Sequence, residues 1–123
     1  MQNGNTIAVL GNGLDKMYPS ENMWIANEIL KNGGAIISEY PIGTKPSKIN
    51  FPARNRIVSG LSKSIIVVEA KEKSGTLITV DFALEQGRDV FVVPGNINSE
   101  NSVGTNRLIK QGARMATSLE DVR

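Results

Sequence analysis

A chain of 123 residues is about one domain, and a hydrophobic content of 40% with 21% charged residues is ordinary for a soluble globular protein. It contains neither cysteine nor histidine, which excludes disulfides, thiolate nucleophiles, Ser-His-Asp and Cys-His machinery, and zinc held by imidazole. The net charge of +2 hides an asymmetry: between Tyr40 and Val68 stand five basic residues (Lys45, Lys48, Arg54, Arg56, Lys63) and no acidic one, leaving 9 basic and 12 acidic residues elsewhere.

In chain order, the polar start from Met1 to Thr6 lacks the layout of a signal peptide. No apolar run approaches the roughly 20 residues needed to span a bilayer. A soluble, cytoplasmic protein is therefore expected. Thr6 to Leu10 reads as a buried strand that runs into the turn Gly11-Asn12-Gly13. After a loop containing Tyr18-Pro19, Ser20 is a candidate N-cap for a helix of about Glu21 to Lys31. Trp24, Ile25, Ile29 and Leu30 form its apolar face, and Gly33 lies just past its end. Ala35 to Ser38 is the second strand. A Pro/Gly-rich connection leads to a helix with Pro52 at its first position, arginines in its first turn, and Ala53, Ile57 and Leu61 on one core face. Ile65 to Glu69 is the clearest strand, apolar at consecutive positions as when both faces are covered. Ser74, Gly75 and Thr76 open a helix to about Gln86. Val90 to Val93 is the fourth strand, stopped by Pro94-Gly95, and Thr105 caps a short helix through Gln111. A short strand follows Ala113, and a last helix begins at Leu119.

Strand and helix thus alternate at least four times, the pattern of an α/β protein whose mainly parallel sheet is covered by helices on both faces, a three-layer αβα architecture. In such sheets ligands bind beyond the C-terminal strand ends. The groups there are Gly11-Asn12-Gly13, Glu39-Tyr40, Glu69-Ala70 with Ser74-Gly75-Thr76, and Pro94-Gly95-Asn96. The Gly11-Asn12-Gly13 turn lacks a third glycine and is no dinucleotide fingerprint; a plain turn and a close backbone approach to a ligand both remain open. Ser74-Gly75-Thr76 reads equally as an anion nest or as an N-cap. Glu39 and Glu69, at strand ends, read as carboxylates able to bind a ribose or orient a water, but without the histidine or metal partner that catalysis would need. Phe51 sits among cations, with core packing and base stacking as its two readings. Trp24 reads as core. Arg54 and Arg56, two apart, point to different sides of their helix. Arginines near a helix N-terminus oppose its dipole, and phosphate is the natural compensating anion.

Several longer stretches resemble a known family: Ala8-Val9-Leu10-Gly11-Asn12-Gly13-Leu14-Asp15 with Tyr18-Pro19; Ser38-Glu39-Tyr40-Pro41; Asn50 to Ser62; Val67-Val68-Glu69-Ala70; Ser74 to Thr79; Ala83 to Arg88; Val93-Pro94-Gly95; and Gly104 to Ala113. On these the chain is identified as a member of the DNA-processing protein A family, DprA or Smf, across nearly its whole length. The resemblance implies a Rossmann-like domain that binds single-stranded DNA and helps load the RecA recombinase during natural transformation and DNA uptake, without catalysis, metal or cofactor. It maps the phosphate- and DNA-binding pocket to Lys48, Phe51, Arg54, Asn55 and Arg56, with Ser74, Gly75 and Thr76 nearby. Family members carry, before the position of Thr6, a further βα portion with a Gly-Gly-Ala-Arg-type phosphate loop, and nothing in Met1 to Asn5 corresponds to it. Residues 1–123 are thus expected to form a single partial domain, the C-terminal part of the family's fold. The edge of strand Thr6 to Leu10 is expected to be uncovered, favouring a homodimer or higher oligomer.

The alternative is a nucleotide-derivative-binding or phosphoribohydrolase-like Rossmann protein, related to the cytokinin-activating enzymes. Those proteins show Pro-Gly-Gly-x-Gly-Thr-x-x-Glu, whereas Lys73-Ser74-Gly75-Thr76-Leu77-Ile78-Thr79 has no glutamate three residues after the threonine. A third reading is a pure assembly role through the exposed sheet edge.

Overall fold

Strand β1, Ile7–Leu10, runs parallel to β2, Ala35–Ser38, with Ile7 opposite Ala35 and Leu10 opposite Ser38. This is seen in a computed structural model that describes residues 4–123. The crossover between the strands is α1, Met23–Lys31. It ends in a Schellman motif: Gly33 adopts φ +83°, its N–H donates to the Leu30 carbonyl at 3.3 Å, and the Gly34 N–H donates to the Ile29 carbonyl at 2.9 Å. The helix does not begin as its sequence suggests. Ser20–Asn22 forms a 3-10 turn first, and the Ser20 side chain makes no capping bond. Nor is Trp24 core, because its side chain is 60% exposed. Ala26 is the residue of α1 that is fully buried, flanked by the half-buried Ile25 and Ile29. At about 100° per residue, these three share a stripe that leaves Trp24 on the far side.

Helix α2, Asn50–Gly60, starts two residues before the expected position. The Ser47 hydroxyl accepts the Asn50 N–H at 3.1 Å, so Ser47 caps the helix and Pro52 is its third residue. Pro52 still lies in the first turn, where a missing N–H costs nothing. Arg54 and Arg56 consequently stand in the second turn, beyond the strongest reach of the helix dipole. The anticipated core face of α2 is also different: Leu61, just past the helix, is 58% exposed, whereas Ser59 is fully buried.

The described chain divides into two compact units at Arg54 and Asn55, inside α2. The second contains β3, Ser64–Val67; α3, Thr76–Glu85; β4, Asp89–Val92; α4, Val103–Lys110; and β5, Arg114–Met115. Its sheet has the order β3-β4-β5 with both pairings parallel, so α3 and α4 are successive crossovers. Central β4 is buried at Val90, Phe91 and Val92, and the core joins Val67, Ala70, Val80, Ala83, Val90 and Val92, with Leu77, Leu108 and Ile109 packed against it. The consecutive apolar residues of β4 match what a covered parallel strand requires, whereas β3 ends at Val67, short of the expected Glu69, and leaves Ile66 47% exposed, so one of its faces is open. Thr105 does not cap α4; it lies inside it, fully buried, its hydroxyl donating to the Ser102 carbonyl at 3.0 Å. The chain end forms a 3-10 turn, Leu119–Val122, capped reciprocally by Ser118 and Asp121. The architecture is α/β with parallel sheets flanked by helices, as the alternation of elements predicts.

Candidate nucleic-acid interface

In the first unit, the end of β1 turns sharply at Gly11, Asn12 and Gly13, all buried. Asn12 holds the turn by donating from Nδ2 to the Gly13 carbonyl at 2.9 Å and the Lys16 carbonyl at 2.6 Å. The Ser38 hydroxyl, at the end of β2, donates to the Asn12 carbonyl at 2.6 Å. Asp15 Oδ1 accepts the Gly43 N–H at 2.8 Å, tying the following loop back to the turn. Of the two readings of this turn, a close approach does occur, and the approaching group is the chain's own Phe51. A Cβ built on Gly11 would lie 2.5 Å from Phe51 Cδ1.

Phe51 is half-buried and surrounded. The Tyr18 ring stacks on it with centroids 5.7 Å apart and planes at 15°. The Arg54 guanidinium carbon lies 5.8 Å from its centroid, a cation–π distance. Arg54 Nη1 also donates to the Val9 carbonyl at 2.7 Å, fastening the start of α2 to β1. The Phe51 ring packs against the turn and belongs to an aromatic stack that reaches the surface, since Tyr18 is 52% exposed.

Beside this stack lies an open groove of about 350 Å³, lined by Lys16, Tyr18, Lys45, Pro46, Ser47, Lys48 and Phe51. Its three lysines are exposed. Among the described residues none of them has a carboxylate within ion-pair distance. Three unneutralised ammonium groups around two aromatic rings can take phosphates and a flat, polarisable ring together. Lys16 and Tyr18 were not identified by sequence reasoning; the Lys16-x-Tyr18 pairing is a basic-aromatic signal, but only the fold carries it to Phe51.

The remaining residues predicted from sequence lie in the second unit. Arg56 is exposed and Asn55 half-buried. Gln86 grips this part of α2: its Nε2 donates to the Arg56 carbonyl at 2.9 Å, and its Oε1 accepts from the Ser59 hydroxyl at 2.7 Å. At the start of α3, the Ser74 hydroxyl accepts the Thr76 N–H at 3.2 Å. The Leu77 and Ile78 N–H groups donate to the carbonyls of Ser74 and Gly75, each at 3.1 Å. Of the supposed nest the Thr76 amide is therefore engaged within the turn, and the Leu77 and Ile78 amides that follow are bonded as at a helix start. Glu39 and Glu69 are exposed at the ends of β2 and β3. Among the described residues no helix is long and apolar enough to cross a membrane.

The family model for DNA recombination-mediator protein A matches residues 1–123. The chain is 51% identical over 120 residues to Protein Smf of Escherichia coli, covering 98% of this chain and 32% of that protein. It is 49% identical over 123 residues to the DNA processing protein DprA of Streptococcus pneumoniae, covering 99% of this chain and 43% of that one. The chain thus spans between about a third and two fifths of these relatives' length. The X-ray structure of the Streptococcus pneumoniae protein superposes with a TM-score of 0.87 at 49% identity, over 97% of this chain and 42% of that chain. A Helicobacter pylori DNA processing protein A, studied for its single-stranded DNA binding mode, superposes with a TM-score of 0.86 at 36% identity, over 95% of this chain and 54% of that chain. With a fold of parallel sheets and flanking helices common to these structures and a family match along its entire length, the chain belongs to the DNA recombination-mediator protein A family.

Proposed function

We propose that this chain binds single-stranded DNA as a non-catalytic module in DNA processing, presenting the strand to a RecA-type recombinase during DNA uptake and transformation. The observation that carries the reading is the groove beside Tyr18 and Phe51, where Lys16, Lys45 and Lys48 have no carboxylate partner among the described residues. Stacking and phosphate contacts tolerate any base sequence, as a strand-handling protein requires. Kinship to the Helicobacter pylori protein with its single-stranded DNA binding mode supports the same reading.

Within this proposal Lys48 contacts phosphate from the groove, Phe51 with its cation–π partner Arg54 supports the aromatic part of the site, and Asn55 and the exposed Arg56 offer the strand an amide and a further cation. Ser74, Gly75 and Thr76 are the weakest members, since the Thr76 amide is already bonded to the Ser74 hydroxyl. The family match along residues 1–123 supports assigning both units to one partial Rossmann-like domain. Cytoplasmic residence and self-association into a homodimer complete the proposal, the latter motivated by Ile7 of β1, which is 57% exposed.

Fluorescence anisotropy with labelled oligo-dT tests the reading. We expect saturable binding, preference over duplex of the same length, and loss of affinity when Lys48 is replaced by alanine. Equal affinity for duplex and single strand, or an unaltered affinity in Lys48→Ala, overturns it.

A further inference from the structure

We infer that Tyr18 presents the face on which a DNA base stacks, with Phe51 as the ring behind it and Lys16 as a phosphate contact on the near side of the groove. The inference rests on the single-stranded DNA reading and assigns the stacking role to a different residue.

The argument starts from what already surrounds Phe51. Its edge abuts Gly11, the Arg54 guanidinium carbon lies 5.8 Å from its centroid, and Tyr18 stacks on it at 5.7 Å and 15°. Arg54 is fastened to the Val9 carbonyl at 2.7 Å. A base that stacked directly on Phe51 in place of Tyr18 would first have to displace an aromatic partner already in parallel contact. Adding the base to the exposed part of Tyr18 leaves the Tyr18–Phe51 stack intact. Tyr18 is 52% exposed, whereas Phe51 is half-buried. The order base, Tyr18, Phe51 continues one offset stack, the preferred arrangement for adjacent rings.

The cations fit the same order. Lys16 precedes Tyr18 by two residues and lines the same groove, with Lys45 and Lys48 on the loop leading into α2. A nucleotide whose base covers Tyr18 has its sugar-phosphate running through a space bounded by lysines from two separate loops. The rings are held in register from behind: Gly11 seats Phe51, and Phe51 seats Tyr18. Tyr18 is therefore the contacting residue and Phe51 the positioning residue.

The test uses the chain as it stands with three probes: oligo-dT, an abasic oligonucleotide of the same length, and oligo-dT carrying one 5-iododeoxyuridine. Tyr18→Ala is expected to weaken oligo-dT binding by roughly 5- to 100-fold, as loss of one stacked base does, and to leave abasic binding unchanged. Tyr18→Phe, which keeps the ring, retains wild-type affinity. Irradiation of the wild-type complex with the iodinated probe, which requires no folded variant, yields an adduct at Tyr18. An adduct at Phe51 and none at Tyr18, or wild-type affinity of Tyr18→Ala for oligo-dT, overturns the stacking assignment while leaving the groove as the binding site. Loss of the wider reading has a different signature, namely no binding of either unmodified probe or no effect of Lys48→Ala.

Discussion

The Phe51 ring lies so close to the backbone of Gly11 that a methyl group at position 11 would stand 2.5 Å from Cδ1 and 3.0 Å from Cε1. Glycine there is required by a contact made inside the chain. Gly11→Ala must therefore push the ring away or shift the start of α2, at a cost of about 1–3 kcal/mol from overpacking. We expect a lowered melting temperature together with weakened oligo-dT binding, read by thermal unfolding and anisotropy on the same preparation.

Replacing Phe51 by alanine removes the ring that supports Tyr18 and leaves Arg54 without its π partner. Because the ring is half-buried, the stability loss is expected to be about 1–3 kcal/mol, below that of a fully buried phenylalanine. Oligo-dT affinity falls as well. A variant that melts normally and binds normally would show that the stack has no role in either.

The lysines of the groove act through charge. Each phosphate contact contributes about −0.7 to the slope of log affinity against log salt for single strands. Lys16→Ala, Lys45→Ala and Lys48→Ala should each flatten that slope by about this amount, with melting temperature barely changed because exposed charges contribute little to folding. An unchanged slope in all three variants would remove the groove from the binding surface.

Ser59 supplies a contrasting control. It is fully buried, and its hydroxyl donates to Gln86 Oε1 at 2.7 Å, next to the Gln86 Nε2 bond to the Arg56 carbonyl. Ser59→Ala leaves that oxygen without its donor and should cost about 1 kcal/mol of stability. DNA affinity at a temperature where the variant is folded should match wild type; a selective loss of affinity would place Ser59 in the interface.

At the chain end, backbone N–H groups of Thr117 and Ser118 donate to the Asp121 carboxylate, with the Thr117 hydroxyl also in reach, and hold its pKa below the ordinary aspartate value of 3.8. A depressed pKa means that the ionised form is favoured by folding. Its contribution is present above the unfolded value and is lost as pH falls through the folded one. Asp121→Asn should accordingly lower the melting temperature at neutral pH, with the difference from wild type shrinking below about pH 4. A difference that persists unchanged at pH 2 would assign the effect to geometry and not to charge.

The order of elements was legible in the sequence because its causes are local. Consecutive β-branched residues in β3 and alternating valine and phenylalanine in β4 made strands wherever they lie in space, and Gly33, with φ +83°, ended α1 through bonds to its own last turn. The basic stretch holding Lys45 and Lys48 was equally visible, since charge counting needs no fold. What periodicity misread depended on which side of an element another element covers. Trp24 lay on an apolar pattern yet faces solvent, because the buried stripe of α1 is centred on Ala26, Ile25 and Ile29. Ser59, polar and unremarked, is buried because Gln86 arrives from the end of α3 to satisfy its hydroxyl. The binding surface shows the same division most clearly. The sequence by itself determined that cations and Phe51 lie together, but only the tertiary structure joined Tyr18 and Lys16 to them, because the turn at Gly11 and the start of α2 meet through a glycine whose missing side chain leaves room for the ring.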